Sequence, residues 1–147
     1  MQEADHILIP LLDGSHALAQ VAREHDKWVL IHLTDTRATA KSTVTRIPAE
    51  DVKATILVDR APLTAGQWPI IGYDAQPFGI TTQREDLQRD DPLDPAIVEA
   101  FANALVGLFP WDGFPDAAYF DQFLRHGLTR PDAARVKADF PQPDPEG

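Results

Sequence analysis

The hydrophobic positions of this chain change period near its middle. His6 to Leu12 is a short apolar run rich in Ile and Leu, closed by Asp13-Gly14-Ser15. From His16 to Arg23 small and apolar residues alternate, with Ala17, Ala19 and Val21 on one face. Two such runs around a turn sequence predict a β-hairpin. After the polar Glu24-His25-Asp26, Lys27 to Thr34 places Trp28, Leu30 and His32 on one face and Val29, Ile31 and Leu33 on the other, so it predicts a third antiparallel strand. Ile47 to Glu50 reads as a connector because Pro48 cannot donate to a ladder, and Val52 to Asp59 supplies another β-branched run. Gln67 to Tyr73 offers a last, interrupted strand, with Pro69 pointing to a sheet edge and Gly72 to a bend or bulge.

Asp74 to Asp94 has no sustained period and reads as a surface connection. Asp94-Pro95 then forms a helix start: the carboxylate accepts from free N–H groups, and proline gives up a donor that had no partner. Helical spacing of Ile97, Phe101, Ala104 or Leu105, and Leu108 carries this helix to about Phe109, where Pro110 stops it. A second helix is predicted from about Pro115 to His126, with Tyr119, Phe120, Phe123 and Leu124 as its stripe and Gly127 as its stop. Pro131 to Lys137 has room for a further turn or two. The expected fold is therefore α+β: an antiparallel β-sheet curling into a small barrel or half-barrel, followed by two or three C-terminal helices. The expected organisation is a single domain over 1–140, with a β-rich part over 1–75, an acidic connection over 76–94 and a helical part over 95–140. A flexible tail over 141–147 follows, because PQPDPEG has little to bury.

Composition narrows the chemistry. A chain of 147 residues is about one domain's worth, long enough to bury roughly two-thirds of the surface its unfolded form exposes. The absence of cysteine removes disulfides, thiolate nucleophiles and thiolate metal sites. Against 23 acids there are 13 bases, a net charge of -10, which disfavours nucleic acid as a partner. The excess is local: residues 61 to 124 carry 10 acids and 2 bases. No apolar run approaches the roughly 20 residues of a membrane span, and the start MQEADHILIPLLDG lacks a basic leader with a cleavage site. A cytoplasmic location, without membrane contact, is the expectation.

Catalytic signatures do not assemble. Ser15 lies beside His16 and Asp13, but neighbours on a hairpin do not aim at one point, and turn chemistry accounts for Asp13-Gly14-Ser15. No histidine pair has the helical spacing of a metal site, and the isolated glycines form no phosphate cradle. His32 with Asp35 is the nearest approach to a ligand pair; its plainer reading is an imidazole bonded to a neighbour on the Trp28 face. No catalytic residue, metal or cofactor is therefore expected. The informative feature is acidic: Glu85, Asp86, Asp90, Asp91, Asp94 and Glu99, offset only by Arg84 and Arg89. Such a run is either a solvated, solubilising surface or a surface that attracts a basic protein and accelerates encounter. Trp68 and Trp111, next to breaks in regular structure, either cap the seam between sheet and helices or stand out as interface anchors.

The runs ILIPLLDGSHALAQVARE (7–24), VLIHLTD (29–35) and LTAGQWPIIGYDAQP (63–77) resemble the immunity protein 26 family of bacterial polymorphic-toxin systems. The likeness rests on the Ile9-Pro10-Leu11 and Asp13-Gly14 turn, the small-residue strand Ala17 to Val21, and the Gly66 to Gly72 segment, and it covers roughly half the chain. It implies a mostly β protein that neutralises a cognate toxin without catalysis of its own. It transfers no functional residue to a numbered position. The combined expectation is a non-catalytic binding module whose acidic residues steer a basic protein, with Trp68 or Trp111 supplying desolvated contact. The alternatives are a small-molecule-binding domain or small enzyme with a pocket between sheet and helices, using His32 and Asp35, or an assembly subunit that associates through the Trp68 edge.

Overall fold

The computed structural model describes residues 1–87 and 91–141. Its centre is one antiparallel sheet of five strands: β1 (Asp5–Pro10), β2 (His16–Glu24), β3 (Trp28–Arg37), β4 (Val52–Asp59) and β5 (Ile70–Tyr73), in the order β4-β3-β2-β1-β5. Between β4 and β5 lies a single helical turn, α1 (Ala61–Thr64), and after β5 comes one longer helix, α2 (Pro95–Leu105). The β1–β2 turn is built as its sequence suggests: Gly14 takes φ +86° and Asp13 accepts from the Ser15 N–H at 3.0 Å. Arg37 closes the same turn by bonding the Ser15 hydroxyl and the Asp13 carboxylate. Ser15 is thus held within a turn network, its hydroxyl also donating to the Asp13 carboxylate.

Both faces of the sheet are buried. One carries Ile7 and Ile9, Ala19 and Val21, Ile31 and Leu33, Ala54 and Ile56, and receives Val98, Phe101 and Leu105 from α2 together with Trp111, Phe120 and Phe123. The opposite face carries His6, Leu8, Gln20, Leu30, His32, Thr34 and Leu57, all buried as well. Irregular chain covers it: Leu87 packs on Ala22, Leu30 and Leu57, while Gln76 donates to the Val21 carbonyl at 3.0 Å. The near-continuous apolar runs of β1 and β3 follow from this two-sided burial.

Four expectations change. The sheet is open, not a barrel or half-barrel, because β4 and β5 are its two edges and do not pair with each other. Chain segments cover the β4 edge instead, with Leu93 bonding the Leu57 carbonyl and Asp59 N–H, and the Arg125 N–H bonding the Lys53 carbonyl. The 76–94 connection, in its described residues, is therefore part of the packing and not only surface. Helix α2 starts at the Asp94 cap, which accepts from the Ala96 N–H at 2.8 Å, but stops at Leu105 and not near Phe109. Gly107 at φ +80° ends it, and the Leu108 N–H returns to the Asn103 carbonyl. A Cβ at Gly107 would collide with the Ala133 carbonyl, so glycine is required by close approach as well as by conformation.

Nor does a second long helix form: among the described residues the region from Pro115 onwards gives only short 3-10 turns, Tyr119–Phe123 and Lys137–Asp139. Its aromatic residues converge from several directions on Phe101 and Phe120 instead of lining one stripe. Leu124 is already extended, with ψ 140°, which lets the next residue reach β4. At the other edge, β5 meets β1 with a register shift between His6 and Ile7, and Gly72 has φ +155° beneath the Val44 side chain. A Cβ built on Gly72 falls 2.7 Å from Val44 Cγ2. Gly72→Ala should destabilise by about 2–4 kcal/mol, because φ +155° is a conformation that residues with a side chain rarely adopt and the Val44 side chain must also give way. Urea unfolding measures this, and V44A should restore only the part due to the Val44 contact, leaving the backbone part in place.

Candidate functional site

Two features of the buried coil-covered face hold the polar chemistry of the molecule. The first is a row of residues in register across the sheet: Gly72, His6, Gln20, His32 and Thr55 from β5, β1, β2, β3 and β4. His32 and Thr55 sit opposite each other, and Nδ1 and Oγ1 share a hydrogen bond of 2.9 Å. The Gln20 amide donates to the carbonyls of Ala4 at 3.1 Å and Asp74 at 2.7 Å, so it fastens the chain beyond β5 to the sheet. Among the described residues, four buried side-chain atoms in this row and above it lack a partner in hydrogen-bond geometry: His6 Nε2, Gln20 Oε1, His32 Nε2 and Gln76 Oε1.

Burial lowers the His32 pKa to about 4, assisted by the positive charge of Arg125, while the neighbouring Gln76 amide acts in the opposite direction. Burial also lowers the His6 pKa, opposed by Asp74 and Asp5. Both imidazoles are neutral near pH 7, and this follows from desolvation rather than from a catalytic partner. Asp35 is not the partner of His32; residues three apart on a strand lie on opposite faces, and Thr55 takes that place. His6 borders a cavity of about 220 Å³ beneath the 42–48 chain, which also touches Arg37, Ser42, Arg46 and Asp51.

The second feature is a cavity of about 360 Å³ at the β4 edge. Thr55, Ile56 and Leu57 form its floor; Ile80, Leu87, Leu93, Phe123 and Leu124 give it apolar walls. Asp86, Asp91, Arg125 and His126 bring two acidic and two basic side chains to the same lining. Arg125 is engaged structurally: Nε donates to the Val52 carbonyl at 3.0 Å and Nη2 to the Ala49 carbonyl at 2.9 Å. Asp86 accepts a hydrogen bond from the Thr81 hydroxyl, another lining residue, which holds the carboxylate in place.

The acidic residues divide by role. Glu85, Asp86 and Asp91 are exposed, with the last two at the cavity. Asp94 is the α2 cap. Glu99 accepts from the Trp68 indole N–H at 2.9 Å, which ties α2 to the chain before β5. Asp90 lies outside the described residues. Trp68 and Trp111 are not exposed anchors: they are 0% and 2% accessible. Their indole N–H groups are satisfied by Glu99 and by Asp121, the latter at 2.8 Å, so each brings a bonded polar tip into the apolar layer. This burial also removes the Trp68 edge as a self-association surface. The cavity walls, which sequence reasoning missed, come from residues spread over 55–126 that share no local pattern; only the acidic run pointed toward them.

Among the described residues, no three His, Asp or Glu side chains converge as a metal ion would need, and no helix is long and apolar enough to cross a membrane. Protein-family models, curated proteins and solved structures yield no match to this chain.

Proposed function

We propose that the chain is a non-catalytic protein-binding module of the immunity type, which neutralises a bacterial toxin domain by covering a basic surface. The observation that carries this reading is the placement of Asp86 and Asp91 beside a cavity of about 360 Å³ with apolar walls. Exposed carboxylates raise the encounter rate with a cationic partner but contribute little net affinity on their own. The walls formed by Ile80, Leu87 and Leu124 supply the complementary part, a place where a partner side chain loses its water. The concentration of negative charge over residues 61 to 124 strengthens the same attraction. A toxin that cuts nucleic acid must hold phosphates on a basic surface, so an acidic cover competes with substrate.

The test is association kinetics with the purified domain of any toxin encoded beside this gene, and a neighbourhood without one would count against the reading. Asp86→Lys combined with Asp91→Lys should reduce the association rate at low salt by about tenfold or more and flatten its salt dependence. Unchanged rates would remove this surface from the binding reaction. The cavity volume also falls in the range of small-molecule sites, which favours ligand binding as the second reading. A metabolite screen that raises the melting temperature, with no toxin binding, would put that reading first.

A further inference from the structure

The cavity of about 220 Å³ beneath the 42–48 chain shares no described lining residue with the one at the β4 edge. Its walls are aliphatic: Leu18 and Ile71 come from strands of the sheet, Val44 and Ile47 from the covering chain. Of these four only Ile47 is fully buried. Two charged side chains of opposite sign, Arg46 and Asp51, belong to the same lining. The Arg46 guanidinium lies over the Phe78 ring, with Cζ 3.9 Å from the centroid, a contact that uses the flat face of the group and none of its N–H donors. Neither that guanidinium nor the Asp51 carboxylate makes a hydrogen bond or ion pair among the described residues, so they do not pair with each other. The other cation of the lining, Arg37, is already joined to Asp13 at 3.2 Å. His6 borders the cavity as well, 1% accessible and with Nε2 lacking a partner.

Charge on this lining is balanced but not paired. A purely cationic guest would meet Arg46, a purely anionic one would meet Asp51, and an apolar one would take water from both without replacing its hydrogen bonds. We infer that the cavity binds a free α-amino acid with an aliphatic side chain, its carboxylate on Arg46, its ammonium on Asp51 and its side chain against Val44, Ile47 and Ile71. A guanidinium with its donors unspent takes a carboxylate through two parallel hydrogen bonds, and an ammonium gives the Asp51 carboxylate a charged donor. The volume lies below the roughly 300–1,000 Å³ of sites for drug-sized ligands, which suits a molecule this small. A buried imidazole nitrogen without a partner at the same cavity is the kind of group that a bound molecule, or a water held with it, satisfies. The inference goes beyond the immunity reading and does not rest on it, because Asp86 and Asp91 belong to the other cavity.

The test is an NMR titration of the full chain with L-valine and with L-leucine. At least one should bind saturably, with a dissociation constant below about 1 mM, and shift the amides of 43–47 and Ile71 together with the His6 ring. N-acetylation of the ligand removes its positive charge and methyl esterification its negative charge; each should weaken binding by about tenfold or more. Arg46→Gln and Asp51→Asn should do the same, whereas Glu50→Gln, an exposed acid outside the lining, should leave the affinity unchanged. The blocked ligands leave the protein untouched, so they keep the test decisive if a variant does not fold. No saturable shift with either amino acid, or shifts that bypass 43–47, would overturn the site. Undiminished binding of the N-acetyl form would reduce it to an anion site and undiminished binding of the ester to a cation site, and either result overturns recognition of an amino acid.

Discussion

Phe101→Ala is expected to lower the unfolding free energy by about 3–5 kcal/mol, the largest effect of any single truncation in the helical layer. Phe101 is 0% accessible and lies at the meeting point of α2 with the post-helical chain. Its ring centroid is 5.8 Å from that of Trp111 and 5.4 Å from those of Phe120 and Phe123. The surrounding rings belong to irregular chain held by Trp111, whose N–H is bonded to Asp121, so they cannot simply collapse into the space left behind. Phe101→Leu should cost less because it leaves a smaller void. Exposed Phe78, 72% accessible and stacked beneath the Arg46 guanidinium, is the control: its truncation should cost no more than about 1 kcal/mol. Urea unfolding with unchanged slope reads the difference. A loss below about 1 kcal/mol for Phe101→Ala would show that this layer does not rest on the aromatic cluster.

Acid should destabilise the fold well before its carboxylates titrate. His32 has a pKa of about 4 in the folded protein against 6.5 in an exposed chain, because folding buries it and brings Arg125 near. Between those values the unfolded state binds the proton and the folded state does not, so stability is complete above pH 6.5 and falls as the pH drops toward 4. At about 1.4 kcal/mol per pKa unit the loss across that window is on the order of 3 kcal/mol. His6 contributes in the same direction, moderated by Asp74 and Asp5. His32→Gln should flatten this dependence. A wild-type stability constant between pH 6.5 and 4.5 would show that His32 remains hydrated in the folded state.

The strands were legible because their signals are local. Alternation placed His32 and Leu30 on one face of β3 and Ile31 on the other, and Pro69 with Gly72 marked β5 as an edge. The Asp94-Pro95 start of α2 was legible for the same reason, since cap chemistry acts within one turn. Closure was not legible, because whether β4 meets β5 or is met by Leu93 and Arg125 depends on contacts across more than thirty residues. The region after Pro110 misled because aromatic residues at helical spacing also suit a cluster wrapped around Phe101. Charge counting found the acidic run but not the roles within it: Asp94 caps a helix and Glu99 holds Trp68, while Asp86 and Asp91 reach the cavity. Trp68 and Trp111 neighbour prolines, a pattern shared by surface anchors and by tryptophans that plug an interior seam.

The clasped edge of β4 also bears on self-association. A bare edge strand is a template on which further copies can stack into fibrils, and proteins commonly blunt such edges. Here Leu93 and Arg125 bond the two ends of the outer β4 edge, and three residues, 54 to 56, lie between these clasps. Stacked zipper assemblies need uninterrupted segments of about six residues. That interval is too short to propagate a sheet, so the two clasps guard the edge against aggregation.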